Sequence, residues 1–392
     1  MADILDYVRW RGDLGFDERP FNPVDNVVFS QLSYLPMDGA VPGPGEGGRA
    51  SVAELAKWRA VEAGAAIDAG RGALKDIMVE AASEVLREIG AAPRYRDCAL
   101  FDYVSQTDPS EEKQFSAYCA EIGANGASKR LLVVFRGTDT SLVGWKEDLN
   151  MGFLNTVPAQ KEAAARLEQA ALSRPWPIVL AGHSKGGNLA VYAAAFSSGA
   201  VRQRIEAVYS NDAPGFRPEV IRSEGYREIL PRLRSFVPQS SFVGMLLERG
   251  DVPEVVRSSA SGLLQHNMMS WEVARDSLAP GGELTALARL ASGIVREWIG
   301  KIGEERSQMF IEAIYKILAA TNASSFLDLS SNWSQAAAGI ITGLKNVDGP
   351  TKKLMRETLA ELFRAARASL TEKLRRKSGG EGWWDKDLFS EE

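Results

Sequence analysis

The chain of 392 residues contains few cysteines and few histidines, two of each. Cys98 and Cys119 are too few for a disulfide framework or a cysteine-rich metal site. Both lie in strand-like sequence, which indicates buried free thiols. A catalytic histidine base in this sequence can therefore be only His183 or His266.

The sequence also lacks a basic excess and a long apolar run. Its formal net charge is −5, which argues against a general nucleic-acid-binding protein. No stretch of about 18 apolar residues suggests a membrane span, and the opening MADILDYVRWRGDLGF lacks the apolar core of a signal peptide. With 45% hydrophobic and 25% charged residues, the composition is ordinary for a soluble globular protein, and we expect a cytoplasmic one.

The first third of the chain contains a loop followed by helical sequence. Residues 38–50, DGAVPGPGEGGRA, form a Gly/Pro-rich surface loop. Ser51 and Glu54 have the spacing of a capping box and predict the start of a helix. A second helix is predicted from apolar residues at helical spacing, so that helical sequence covers about residues 51–90. These apolar residues are Leu74, Met78, Ala81, Val85 and Ile89.

The middle of the chain changes to strands that alternate with helices. CALFDYVS, FSAYCAEI and LLVVF are short and apolar, as strands are. A helix over about residues 159–172 then leads to the strands PIVLAG, IEAVYS, LRSFV and EVVRSS. This alternation predicts an α/β protein with a mainly parallel sheet that is covered by helices on both faces.

Beyond about residue 280 the sequence is helical, which predicts a domain over 1–280 and a C-terminal helical extension over 281–392. The last predicted helix, near residues 352–376, carries nine Lys/Arg between Lys352 and Lys377 against three Glu. A docked helix with a solvated basic face is the interpretation we favour, and contact with an anionic membrane surface is the alternative. The acidic tail GGEGWWDKDLFSEE is expected to be flexible.

Residues 182–186 read GHSKG and match the G-x-S-x-G pattern of a nucleophile elbow. An apolar strand precedes Ser184, glycines flank it, and NLAVY can continue as a helix. This context favours a serine nucleophile over an idle serine in a glycine-rich turn. A serine hydroxyl needs a base that takes its proton and donors that stabilise the oxyanion.

The base follows by elimination and the acid stays open between two residues. His183 is adjacent to Ser184 and projects differently, which leaves His266, in the serine-before-histidine order of α/β-hydrolases. Asp212 follows the strand IEAVYS, at a strand end where such folds place catalytic groups. Asp251, in ERGDVP, is the competitor, and we favour Asp212.

The oxyanion hole requires two converging N–H groups. One is expected from the backbone of Lys185, the residue after the nucleophile. The second is expected from the loop over residues 135–139, FRGTD, whose alternative interpretation is a plain β-turn.

With both segments in view, the chain resembles the class 3 (fungal-type) lipases. The resemblance is carried by VVFRGTDTSLVGWKEDL and, about 30 residues later, VLAGHSKGGNLA. It implies that Thr138 is the oxyanion residue and Ser184 the nucleophile. An opening like LDYVRWRGDLGFDERPFNPVDNVVFSQLSYL, combined with GHSKGGNLA, VPQSSFVGMLL and QHNMMSW, makes the chain more similar still to a bacterial α/β-hydrolase family related to these lipases, over roughly residues 4–275. That resemblance implies an α/β-hydrolase fold and an esterase with no established substrate. The helical sequence described above adds extra N-terminal and C-terminal helices to this fold.

Two departures from the lipase pattern bear on the site. Class 3 lipases usually carry their acid after the strand that matches LRSFV, where this chain has PQSS without a carboxylate, and this supports Asp212. Lys185 occupies a position where lipases commonly have an apolar residue, and a cation at a helix N-terminus opposes the helix dipole. We expect either a protein carboxylate or an anionic substrate group beside Lys185.

The sequence therefore predicts a serine hydrolase that cleaves carboxylic esters through Ser184, His266 and Asp212. Its expected partner is a small-molecule or lipid ester, and no metal or organic cofactor is implied. An acyltransferase or thioesterase would use the same residues. A non-catalytic hydrolase-like module that binds partners is the alternative from another class of protein.

Overall fold

The computed structural model describes residues 2–68, 77–124, 126–139, 141–302, 304–319, 349–357 and 360. An eight-stranded sheet forms the centre of the fold, and its strands are arranged in chain order from one edge to the other. The strands are β1 (Ala50–Ser51), β2 (Ala99–Asp108), β3 (Lys113–Ile122), β4 (Arg130–Phe135), β5 (Ile178–His183), β6 (Ile205–Asn211), β7 (Leu233–Pro238) and β8 (Glu254–Val256).

The sheet has an antiparallel and a parallel half. Strands β1 to β4 pair antiparallel, and the pairs from β4 to β8 are all parallel. A separate antiparallel ribbon consists of β9 (Val273–Ala274) and β10 (Ser277–Leu278). The parallel half is the part that alternates with helices along the chain, as the sequence predicted.

Helices cover both faces of the sheet, which gives the α/β architecture that the sequence predicted. They are α1 (Ile4–Arg11), α2 (Pro23–Leu32), α3 (Val52–Asp68), α4 (Ile77–Ala91), α5 (Leu142–Asn150), α6 (Pro158–Ser173), α7 (Lys185–Phe196), α8 (Gly199–Arg204), α9 (Pro218–Ile221), α10 (Glu224–Ile229), α11 (Ala286–Ile302) and α12 (Glu304–Ala319).

Strand β4 shows how the two faces are filled. Leu132 and Val134 belong to the core beneath α1 to α4, whereas Leu131, Val133 and Phe135 belong to the core beneath α6 and α7. Because parallel strands are buried on both faces, they appear in the sequence as continuous apolar runs. This is why LLVVF and IVLAG are unbroken by polar residues.

The predicted capping box forms at the start of α3. Glu54 accepts a hydrogen bond from the backbone N–H of Ser51 at 2.7 Å, and the Ser51 hydroxyl accepts one from the N–H of Glu54 at 3.1 Å. Leu74 of the predicted second helix lies outside the described residues, and α4 buries Val85 and Ile89.

Helix α12 of the C-terminal part packs on α5. Lys146 of α5 donates hydrogen bonds to Glu312 of α12 at 2.5 Å and to Glu112 at 2.7 Å. Its ammonium also lies 4.4 Å from the ring centroid of Tyr315. Of the predicted basic helix, only residues 352–357 and 360 are described, and the acidic tail lies outside the described residues. Among the described helices, none has the length and apolar character that a membrane crossing needs.

Candidate active site

Ser184 occupies a sharp turn between β5 and α7. Its backbone has φ 56° and ψ −132°, a combination that non-glycine residues rarely adopt and that concentrates at functional sites. A Cβ atom on Gly182 would overlap the backbone of Gly186, and one on Gly186 would overlap the carbonyl oxygen of Phe135. Both positions therefore require glycine, because the neighbouring backbone passes too close for a Cβ atom. The predicted order of strand, turn and helix is present around Ser184.

The loop after β4 passes directly beside this turn. A Cβ atom on Gly137 would lie 3.2 Å from Cβ of Ser184 and would overlap the hydroxyl of Tyr34. The next residue, Thr138, donates its hydroxyl to Oδ2 of Asp148 at 2.5 Å. The N–H of Lys185 is in the first turn of α7, where helix amides have no partner within the helix. The two segments that carry the predicted oxyanion residues, the loop after β4 and the first turn of α7, thus both adjoin Ser184.

Asp148 of α5 is a carboxylate with an unusual environment. Burial raises its pKa to about 6, although the charge of Lys185 and the hydrogen bond from Thr138 both act to lower it. Oδ1 of Asp148 has no hydrogen-bond partner in the described part of the chain, and the Lys185 ammonium is 4.0 Å away from it. Sequence reasoning did not identify Asp148.

Asp212 lies directly after β6 and contacts His266. Its Oδ2 is 2.6 Å from Nδ1 of His266, and its side chain is 1% exposed. Oδ1 accepts hydrogen bonds from the hydroxyl of Ser241 at 2.5 Å and from the N–H of Gly244 at 3.2 Å. The backbone of Asp212 has a positive φ of 44°. Both oxygens of this carboxylate are therefore fixed by donors.

Asp251, the competing candidate for the acid, contacts Arg249 instead. Its Oδ2 is 3.0 Å from the guanidinium, and both side chains are 11% exposed. Ser241 is the last residue of the segment PQSS, which contains no carboxylate, and Gly244 lies three residues further along the chain. This stretch therefore supplies the donors to Asp212, and its lack of a carboxylate was the signal in the sequence that pointed to Asp212.

Asn211 joins the serine turn to Asp212. Its carbonyl oxygen accepts the N–H of Ser184 at 2.9 Å. Its side chain exchanges hydrogen bonds with Asn26 of α2 and donates to the carbonyl oxygen of Gly182 at 3.0 Å. The end of β6, the serine turn and α2 are therefore fixed relative to one another.

The position of α2 depends on a buried ion pair that the sequence did not reveal. Arg94 binds Asp25 through two hydrogen bonds of 2.8 and 2.6 Å, and Tyr95 donates its hydroxyl to the same carboxylate at 2.7 Å. Arg94 also donates to backbone carbonyl oxygens of the loop that precedes α2. Such a bidentate pair fixes geometry as well as charge.

His183 contacts the backbone of His266 and not its imidazole nitrogens. Nε2 of His183 lies 2.8 Å from the carbonyl oxygen of His266, and Nδ1 lies 2.7 Å from the hydroxyl of Tyr34. The two imidazole rings are 4.5 Å apart between centroids. Burial, and then the proximity of His266, lower the pKa of His183 well below its ordinary value. This role was missed because it depends on a residue 83 positions away.

The ammonium of Lys185 is buried beneath the site against a protein carboxylate. It donates to Glu147 and to the carbonyl oxygen of Gln114 at 2.7 Å, and the side chains of Lys185 and Glu147 are each 1% exposed. Glu147 also accepts the N–H groups of Gln114 and Ala159. Of the two expectations for Lys185, the structure therefore shows the protein carboxylate. Among the described residues, no cluster of three His, Cys, Asp or Glu side chains has metal-binding geometry.

Comparisons with known proteins give one family match. A family model described as Mbeg1-like matches residues 89–316, which include Ser184, Asp212 and His266. No curated protein matches the chain. A solved structure titled as the crystal structure of M37 lipase is similar at 14% identity, over 57% of this chain and 69% of that chain, with a TM-score of 0.33. That likeness is too distant to support an argument about the site.

Proposed function

The chain belongs to the Mbeg1-like family, and from this premise and the geometry around Ser184 we propose that it is a serine hydrolase that cleaves carboxylic esters. The observation that carries the proposal is the 2.6 Å contact of His266 with Asp212, in a fold where Ser184 occupies a strained strand-to-helix turn and the preceding residue, His183, contacts the backbone of His266. A nucleophile, a base and a group that orients the base are the parts that acyl transfer requires.

In the proposed reaction, Ser184 attacks the ester carbonyl while His266 takes its proton. Because Nδ1 of His266 faces Asp212, Nε2 is the nitrogen that accepts this proton and later gives it to the leaving alcohol. The carboxylate of Asp212 stabilises the imidazolium that forms. Water then attacks the acyl-enzyme with the help of the same base and releases the acid.

The negative charge on the carbonyl oxygen requires donors that are already in place. We assign this role to the N–H of Lys185, at the positive end of α7, and to the backbone N–H of Thr138 in the loop beside Ser184. The hydrogen bond from Thr138 to Asp148 holds the Thr138 side chain and with it this loop. Removing one such donor costs about 10²–10³-fold in kcat.

A fluorophosphonate probe tests the proposal, because it labels only an activated serine. We expect labelling of the intact protein and hydrolysis of p-nitrophenyl esters, and loss of both in Ser184→Ala. Ser105→Ala, which removes an exposed hydroxyl from β2, is the control and should keep both activities. Equal labelling of Ser184→Ala and the intact protein would contradict the proposal. A panel of esters with increasing acyl length would then define the substrate.

A further inference from the structure

His183 makes two hydrogen bonds that together connect Tyr34, in the turn after α2, to the backbone of the proposed base. Its ring is 1% exposed and lies between the hydroxyl of Tyr34 and the carbonyl oxygen of His266. His183 is the last residue of β5 and directly precedes Ser184. The side chain therefore extends from the residue before the nucleophile to the backbone of the base.

The chemistry of the partners fixes the tautomer of His183. A carbonyl oxygen can only accept, so Nε2 must carry the proton that it donates to His266. The low pKa of His183, which burial and the nearby His266 cause, keeps the ring neutral. Nδ1 then has no proton and accepts the hydrogen bond from Tyr34. Tyr34 thus selects the tautomer in which His183 can hold the backbone of His266.

The segment that carries His266 needs such a contact. His266 ends a short 3-10 turn, Gly262–His266, in which Leu263 and Leu264 are more than 70% exposed. Three contacts fix the preceding residue, Gln265. The indole N–H of Trp271 donates to its carbonyl oxygen at 2.9 Å, and its side chain accepts the N–H of Ser240 and donates to the carbonyl oxygen of Ala260. Asp212 holds the imidazole of His266, and His183 is the side chain that holds the carbonyl group of His266 itself.

We infer that His183 is a positioning residue that holds the backbone of His266, through a Tyr34–His183–His266 chain of hydrogen bonds, so that the base meets Ser184. This inference rests on the proposed function. A displacement of about 1 Å in a reacting group can cost on the order of 10²-fold in rate. The decrease in rate would fall on the chemical step, because none of the three residues in this chain of hydrogen bonds is assigned a contact with the substrate.

Four variants separate positioning from a merely structural role. His183→Leu removes both hydrogen bonds at similar volume, and His183→Gln keeps an amide N–H that can reach the His266 carbonyl. Tyr34→Phe removes the group that selects the tautomer. Tyr118→Phe is its matched control, since Tyr118 is also buried and donates its hydroxyl to the carbonyl oxygen of Phe29 at 2.8 Å.

The first measurement is the rate constant for fluorophosphonate labelling, normalised to folded protein. We expect a decrease of about 10- to 100-fold in His183→Leu and recovery to within about threefold in His183→Gln. Tyr34→Phe should lower the rate and Tyr118→Phe should not, and adding Tyr34→Phe to His183→Leu should have little further effect. Labelling of His183→Leu within twofold of the intact protein would overturn the inference. If His183→Leu fails to fold, equal rates in Tyr34→Phe and Tyr118→Phe would overturn it.

The second measurement, histidine NMR, does not depend on activity and is simplified by the presence of only two histidines. We expect His183 to show a proton on Nε2 and no titration near its ordinary pKa. The Nδ1 proton of His266 should shift or broaden in Tyr34→Phe and stay unchanged in Tyr118→Phe. If the protein shows these NMR signals but is not labelled by the fluorophosphonate, the proposed hydrolase function is contradicted, whereas the positioning of His266 by His183 is not. An unshifted His266 proton in Tyr34→Phe would contradict the positioning role.

Discussion

Oδ2 of Asp212 lies 2.6 Å from Nδ1 of His266, and the second oxygen of the same carboxylate accepts two further hydrogen bonds. A carboxylate that is held at both oxygens cannot rotate away from the imidazole. It therefore fixes the histidine tautomer and favours the imidazolium that forms when the base takes a proton. This contact follows directly from the placement of Asp212 at the end of β6.

Asp212→Asn should lower kcat by about 10³–10⁴-fold, because an amide presents the wrong hydrogen-bonding group to Nδ1 of His266. The measurement is steady-state hydrolysis of a p-nitrophenyl ester. Asp251→Asn is the matched control, since this carboxylate pairs with Arg249 and does not contact His266. We expect the control to stay within a few-fold of the intact enzyme. A larger loss in Asp251→Asn than in Asp212→Asn would assign the acid to Asp251.

Ser241→Ala should lower kcat roughly tenfold, because it removes the hydroxyl that holds Oδ1 of Asp212 and leaves only the N–H of Gly244. Ser235→Ala on β7 is a suitable control. The hydroxyl of Ser235 is also buried but has no hydrogen-bond partner among the described residues. Kinetics at saturating ester would show the difference, and equal kcat values in the two variants would argue against a role for Ser241.

Local patterns were enough to predict strands β2 to β8, the serine turn and the capping box at Ser51, whereas the two-residue strands β1, β9 and β10 were not predicted. Each of the predicted features depends on apolar periodicity, glycine spacing or a side chain that caps its own helix. The antiparallel half of the sheet was not separated from the parallel half, because apolar runs do not encode the direction of pairing. Helix α2 is buried along its whole length and so lacks the amphipathic pattern that marks a surface helix.

Contacts between distant residues were the part that the sequence could not supply. Two acids were compatible with the order of residues, and the contact with His266 in the folded chain distinguishes Asp212 from Asp251, which pairs with Arg249. A protein carboxylate or an anionic substrate group was expected beside Lys185, and the identity of the partner as Glu147 depends on how α5 packs under the serine turn. His183 was excluded as the base, and its contact with the His266 backbone needs the folded chain.

Lys185→Met should destabilise the fold by about 3–5 kcal/mol, because it leaves the buried carboxylate of Glu147 without its cation. Adding Glu147→Gln should recover part of this loss. Arg9→Met is the control, because Arg9 and its partner Glu88 are 53% and 31% exposed and such surface pairs contribute about 0–1 kcal/mol. Chemical denaturation would give the free energy of unfolding of all three variants.

The same Lys185 variant tests whether the lysine recognises substrate charge. Since its ammonium is engaged by Glu147 and the Gln114 carbonyl, KM for an acidic ester and KM for a neutral ester should respond alike. A rise in KM confined to the acidic ester would show that Lys185 binds an anionic substrate group.

Asp148 should make the fold less stable as the pH rises, whereas an aspartate whose pKa is lowered by folding has the opposite effect. Its pKa is raised from 3.8 to about 6, chiefly by burial. Between these values the folded protein binds a proton that the unfolded chain has lost. The free energy of unfolding therefore includes a contribution from Asp148 that falls as the pH rises from about 4 to about 6 and is constant above that window.

Asp148→Asn should remove this contribution, because an amide stays neutral and can still accept the hydrogen bond from Thr138. Urea denaturation at pH 4 to 7 would give the free energy of unfolding of both proteins. We expect the variant to gain stability relative to the intact protein as the pH rises through the window, with no further gain above about pH 7. A difference between the two proteins that does not change with pH would show that the carboxyl group is not protonated in this range.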